Sequence, residues 1–202
     1  MSKSQYRSVV IGGSAGGIEI LEQILFALPG DFEVPMLAVQ HLHPSGGGYL
    51  IEHLNGVCAL SVSEARDKEP VGTGHVYLAP ADYHLLVERD ETLSLSVDEK
   101  VNWSRPSIDV LFESAARVWG RALVGVILSG ANSDGAAGMQ AIKAFGGLTI
   151  AQSPQSCKQA TMPQAVLDRH AAERVLNPEE IAAFLARLKR ANRREITEFE
   201  GV

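Results

Sequence analysis

Ser14 stands in the run Gly12-Gly13-Ser14-Ala15-Gly16-Gly17, His41 follows Val39-Gln40, and Asp134 follows Leu128-Ser129-Gly130-Ala131-Asn132-Ser133. A serine hydroxyl is a poor nucleophile until a neighbouring base takes its proton. Histidine, which ordinarily titrates near ~6.5, suits that task. A carboxylate behind the imidazole fixes its tautomer and stabilises the imidazolium that forms. These three residue types could therefore carry out acyl transfer through a serine. The stretch Gly12 to Gly16 also fits G-x-S-x-G, a tight strand-to-helix turn that exposes a nucleophile. The start of the following helix offers free N–H groups for an oxyanion.

Other uses of the same residues stay open at this point. A glycine-rich turn after a first strand more often binds a phosphate or dinucleotide. Against that use, G-x-G-x-x-G fails in every register, because Ser14 takes the middle position counted from Gly12. No acid closes the second strand, and no Gly-Lys-Ser/Thr is present. Asp134, just before an apolar periodic run, also suits a helix N-cap. Ser129 and Asn132 read as ordinary loop residues. Of the remaining histidines, His53, His75, His84 and His170 have no strand-end position, and only His43 comes near one.

The elements that must position these side chains follow from hydrophobic periodicity. Ser8 to Ile11 reads as a buried strand ending at the glycine run. Ile18, Leu21, Leu25 and Leu28 recur at helical spacing until Pro29-Gly30. Val34 to Val39 is a second strand, and a helix after the glycines at 46 to 48 runs through Tyr49, Leu50 and His53. His75 to Leu78, His84 to Val87 and Thr92 to Val97 read as an inserted antiparallel segment. Pro106 falls in the first turn of a helix with Ile108, Leu111, Phe112 and Ala115 on its apolar face. Leu123 to Leu128 reads as a central strand, followed by a helix over 134–145 and a strand from Leu148 to Ala151. Asn177-Pro178-Glu179-Glu180 opens a last helix. Strands alternating with helices predict an α/β fold in one domain over 1–202: a doubly wound, mostly parallel sheet with an inserted antiparallel β segment, in three layers, αβα. Ligands of such sheets bind outside the carboxyl ends of the strands, where Ser14, His41 and Asp134 fall.

Composition narrows the function. The 202 residues carry a net charge of −6, with 46% hydrophobic and 21% charged residues. That balance supplies a core and argues against nucleic acid as a partner. The basic residues Lys189, Arg190, Arg193 and Arg194 are expected as the solvated end of the last helix. The apolar run Val9-Val10-Ile11 is too short for a signal-peptide core or a membrane span. Cys58 and Cys157 have no second Cys or His at ligand spacing. No metal and no cofactor are therefore expected, and the setting is expected to be reducing and cytoplasmic, without membrane insertion.

At the residues singled out above, the chain resembles the catalytic domain of the bacterial chemotaxis protein-glutamate methylesterase, the CheB type. The matching segments are Val10 to Gly17, then Val39-Gln40-His41 with Pro44, then Gly74 to Pro80 with His84-Leu85. Arg105 to Phe112, Leu128-Ser129-Gly130 through Asp134 to Gly138, and Ala151-Gln152 leading to Met162-Pro163-Gln164-Ala165 complete the series. The resemblance implies a hydrolase that removes methyl groups from glutamate γ-methyl esters on the cytoplasmic helices of chemoreceptors and releases methanol. It also implies deamidation of receptor glutamines as a further activity. Ser14 matches the nucleophile, His41 the base and Asp134 the orienting carboxylate. Ala15, Ala131 and Arg105 fall in matching segments and are candidates for the oxyanion and substrate cleft, although Arg105 equally suits a surface or helix-start role.

Two side chains depart from the family pattern. Ala15 stands where threonine is usual and Ala131 where methionine is usual, which leaves the backbone N–H groups intact. The family's usual N-terminal receiver domain is expected to be missing, since only about seven residues precede the first expected strand. Either control is then expected from a separate partner, a response regulator or histidine kinase, or the protein serves a system other than ordinary chemotaxis. Two further readings are kept: a non-catalytic signalling or binding module of the same fold, and a small-molecule carboxylesterase.

Overall fold

The computed structural model describes residues 5–41 and 47–191; His43, Pro44, Gly46, Arg193 and Arg194 lie outside them. In chain order the elements are β1 (Gln5–Tyr6), β2 (Ser8–Gly13), α1 (Gly17–Phe26), β3 (Met36–Gln40), α2 (Gly47–Val57), β4 (Ser61–Glu64), β5 (His75–Leu78), β6 (His84–Val87) and β7 (Leu93–Ser96). They continue with α3 (Ile108–Trp119), β8 (Leu123–Ile127), α4 (Ala136–Ala144), β9 (Leu148–Gln152), α5 (Thr161–Asp168), β10 (Arg174–Leu176), α6 (Pro178–Leu185) and β11 (Lys189–Arg190).

Seven strands form one parallel sheet in the order β10-β9-β8-β2-β3-β5-β4. The winding reverses at β2, which pairs with β3 on one side and β8 on the other. Both faces of the sheet are covered, so its central strands are buried throughout rather than alternating between buried and exposed positions. Val9 and Ile11 pack on one face with Leu21, Ile24 and Leu25 of α1, Leu54 of α2, and Ile181 and Leu185 of α6. Val10 points to the other face, among Leu111 and Phe112 of α3, Met139 and Ile142 of α4, and Val166 of α5. The expected doubly wound, three-layer architecture is present.

Four details differ from the sequence reading. His75–Leu78 is not antiparallel; β5 lies inside the parallel sheet between β3 and β4. The inserted hairpin is β6–β7 alone, with Leu85 opposite Leu95. The strand that completes this edge, β4, has exposed Ser61 and half-buried Ser63, too polar to stand out. Secondly, Pro106 precedes the helix, because Ser107 is extended and takes the N-cap position of α3. Thirdly, α4 begins at Ala136, not Asp134, because Gly135 holds φ +94, outside the right-handed helical region. Fourthly, Lys189 and Arg190 do not end a helix. They form β11, which pairs with β1, and Ala191 N–H donates to Tyr6 O at 2.9 Å. Among the described residues no helix is long and apolar enough to cross a membrane.

Helices α3 and α4 approach closely enough to exclude a side chain at Gly138. A Cβ there would lie 2.5 Å from Phe112 Cβ and 3.2 Å from Asp109 Cα. Neither atom can move without its helix. Gly138→Ala is expected to destabilise the fold by about 1–3 kcal/mol, read as a lower urea midpoint at unchanged m-value. An unchanged midpoint would show that the helices separate at no cost.

Candidate active site

The turn after β2 is held from three sides. Ser14 N–H donates to Ser129 O at 2.9 Å, Gly17 N–H to Ser14 O at 2.9 Å, and His41 N–H to Gly13 O at 3.0 Å. Gly16, at φ +79, is the N-cap of α1, a left-handed conformation that glycine adopts without penalty. Gln40 Nε2 also donates to Ser14 O, at 2.7 Å. Its Oε1 occupies the space that a Cβ on Gly13 or Gly17 would need, at 2.7 and 2.8 Å. Those two glycines make room for the Gln40 amide. Buried Ser129 fastens the turn further by donating Oγ–H to Ala15 O at 2.7 Å and accepting Gln159 N–H at 2.9 Å.

His41 Nε2 and Asp134 Oδ2 are 3.0 Å apart, with the imidazole 14% exposed and the carboxylate fully buried. Four further donors converge on that carboxylate. Oδ1 accepts from Asn102 Nδ2 at 2.8 Å, Ser107 Oγ at 2.8 Å and Asp109 N–H at 3.2 Å, while Oδ2 accepts Ile108 N–H at 2.7 Å. Asp134 therefore does cap a helix, but the helix is α3, which arrives from elsewhere in the chain, and not the one that follows it. Burial pushes its carboxyl up, yet the hydrogen bonds from His41, Asn102, Ile108 and Ser107 outweigh burial and hold it below the usual carboxylate range. Neighbouring Asp109 goes the other way. Burial raises its carboxyl, and the Asp134 charge adds to that rise against the hydrogen bonds from Gly138 N–H and Asn102.

Ser14, His41 and Asp134 thus stand at the carboxyl edge of β2, β3 and β8, around the point where the winding reverses. His41 and Asp134 are joined directly. The Ser14 hydroxyl has no hydrogen bond among the described residues. Ala15 and Ala131 are exposed on the loops after β2 and β8, and the N–H groups of Ala15, Gly16 and Ala131 take no acceptor among the described residues. Arg105 is placed differently from the other candidates. Its Nη1 donates to Val97 O at 2.7 Å and Asp98 O at 3.0 Å, tying down the chain after β7.

Several residues of this site carry no signal of their own in the sequence. Asn102 lies in a loop, and Ser107 and Asp109 fall in the expected first turn after Pro106. His84, given no role above, accepts Ser107 N–H at Nδ1 (3.1 Å) and donates from Nε2 to Glu99 O (3.0 Å), joining the hairpin to the N-terminus of α3. Asn132 Oδ1 accepts Asp134 N–H at 3.1 Å.

A doubly wound α/β domain of the hydrolase class is what this fold and this strand edge define. The CheB methylesterase family model matches residues 9–185, and the chain belongs to that family. A Leptospira interrogans chain, provisionally named a protein-glutamate methylesterase/protein-glutamine glutaminase, is 46% identical over 187 residues, covering 93% of this chain and 97% of its own. The protein-glutamate methylesterase/protein-glutamine glutaminase of Symbiobacterium thermophilum is 41% identical over 181 residues, 90% of this chain and 50% of its own length. The crystal structure of the Thermotoga maritima CheB methylesterase catalytic domain matches with a TM-score of 0.86 at 34% identity, over 90% of this chain and 98% of that one.

Proposed function

We propose that this chain hydrolyses glutamate γ-methyl esters on the cytoplasmic helices of chemoreceptors, with Ser14 as nucleophile, His41 as base and Asp134 as the carboxylate that orients it. The observation that carries this reading is the buried Asp134 carboxylate on His41 Nε2 at 3.0 Å, beside the Ser14 turn. With Nε2–H donated to Asp134, Nδ1 is the nitrogen left to take the hydroxyl proton. Ser14 Oγ attacks the ester carbonyl, and the N–H groups of Ala15 and Gly16, which take no acceptor among the described residues, are candidate oxyanion donors. His41 returns the proton to the methoxy group, methanol leaves, and water hydrolyses the acyl-enzyme by the same route in reverse. A glutamine side chain entering the same cleft would lose ammonia in place of methanol. The reaction belongs in the cytoplasm, where free Cys58 and Cys157 stay reduced. Control by a separate response regulator or histidine kinase fits this reading.

The test is methanol release from a methylated chemoreceptor cytoplasmic fragment by the purified protein. Release supports the reading; none from a folded protein overturns it and leaves a binding module or a different ester as the function.

The pH dependence follows from the direction of the Asp134 shift. Its carboxyl lies below the ordinary range, so it is ionised throughout the interval where histidine titrates, near ~6.5. Falling pH then protonates the base alone. The acid limb of log kcat/KM is expected to have a slope of one, with activity lost on acidification. A slope of two would place Asp134 among the titrating groups, and a rate flat from about pH 5 to 8 would remove histidine as base.

A further inference from the structure

Asn102 and Trp103 both hold left-handed backbone, at φ +51 and +63. They form a two-residue turn closed by Val101 N–H on Ser104 O at 3.2 Å and Ser104 N–H on Val101 O at 2.9 Å. Turns of this kind favour Asn-Gly, and tryptophan in the second place is strained. The Trp103 side chain recovers nothing by packing, since it is 95% exposed. Strain persists where the surroundings enforce it, and it gathers at functional sites. What this turn secures is the Asn102 amide.

The two Nδ2 hydrogens go to different carboxylates: Asp109 Oδ2 at 2.7 Å and Asp134 Oδ1 at 2.8 Å. One neutral amide thereby lies between two buried acids of like charge. Asp134 faces His41 from the end of β3 and Asp109 from α3, with Glu113 one turn further along that helix. Ser107 and the first N–H groups of α3 also hold Asp134, but none of them reaches the Asp109 carboxylate. That carboxylate otherwise accepts only Gly138 N–H, at 2.7 Å, among the described residues.

We propose that Asn102 is a positioning residue for the His41–Asp134 pair: its amide separates Asp134 from Asp109 and pins Oδ1, so that Oδ2 stays on the imidazole. The inference rests on the triad reading above. Its first measurement needs no substrate, so the two can fail separately.

The experiment follows the His41 ring by NMR across pH in the wild type, Asn102→Ala and the isosteric Asn102→Asp, beside kcat and KM for ester hydrolysis. Without the amide, Asp134 loses one donor and meets the Asp109 charge unscreened. Both changes tighten its hold on a protonated imidazole, so the His41 titration and the acid limb of kcat/KM move together to higher pH. Asn102→Asp is expected to move them further, because it adds a third carboxylate. At pH 8, kcat falls about tenfold at unchanged KM, the effect of one hydrogen bond to a charged group. A His41 titration unmoved in both variants overturns the proposal: with KM raised, Asn102 is a substrate contact, and with kcat and KM unchanged it serves the turn alone. Should Asn102→Ala fail to fold, Asn102→Asp, which keeps the side-chain shape, still decides. A wild type that hydrolyses no ester while the titration moves would defeat the proposed reaction and leave this inference standing.

Discussion

Asp134→Asn is expected to lower turnover about 10⁴-fold while leaving the fold in place. The size of the effect follows from the donors around the carboxylate. Oδ1 accepts from Asn102, Ser107 and Asp109, so an amide nitrogen placed there would confront three hydrogens. At the Oδ2 position it would confront only the Ile108 N–H and the His41 ring. The amide therefore settles with its nitrogen toward His41 and donates where the carboxylate accepted. Nε2 becomes the acceptor and the imidazole proton moves to Nδ1, the nitrogen that must receive the serine proton. The base is then present in the wrong tautomer. A stability loss of about 1–3 kcal/mol accompanies this, because the Ile108 N–H is left buried without an acceptor. The measurement is kcat per folded molecule, with circular dichroism as the control. Turnover within a few-fold of wild type would remove Asp134 from the mechanism.

Ser14→Ala is expected to have the larger effect, on the order of a 10⁶-fold loss of kcat, as befits a residue that forms the covalent bond. Its effect on stability is expected to stay within about 0.5 kcal/mol. The Ser14 hydroxyl makes no hydrogen bond among the described residues, and the contacts that hold the turn are backbone groups, Ser14 N–H to Ser129 O and Ser14 O from Gly17 and Gln40. An alanine keeps all of them. Methanol release and covalent labelling by an acylating or phosphonylating reagent should vanish together. Labelling that persists in Ser14→Ala would assign the nucleophile to another residue. A wild-type rate retained by the variant would mean that any observed hydrolysis belongs to a contaminant or to a chemistry that does not use the turn.

The elements that hold the site are legible where one short-range pattern decides them. Val9–Ile11 within β2 and Leu123–Ile127 in β8 carry no polar side chain, because helices cover both faces of the sheet. The last helix opens at Asn177-Pro178, where Glu180 accepts the Asn177 N–H at 2.8 Å, from contacts three residues apart. The G-x-S-x-G turn is likewise local. Order along the chain placed Ser14, His41 and Asp134 each after a strand, and in a doubly wound sheet that alone sends them to one edge.

What surrounds them was decided only by the tertiary structure. Asp134 looked like a cap for the helix that follows it, and it caps α3, whose first N–H groups come from residues 25 and 26 positions earlier. Asn102, Ser107 and His84 have no spacing relation to Asp134 that periodicity could reveal. The place of β5 in the parallel sheet is hidden from local pattern for a related reason: its neighbour β4 is a polar edge strand, and polarity at an edge costs nothing because water satisfies it. A side chain's type and local pattern determine what it can do. Which partner it does it with depends on loop closure and helix packing across the sheet, where the free energy lies in contacts between residues far apart in sequence.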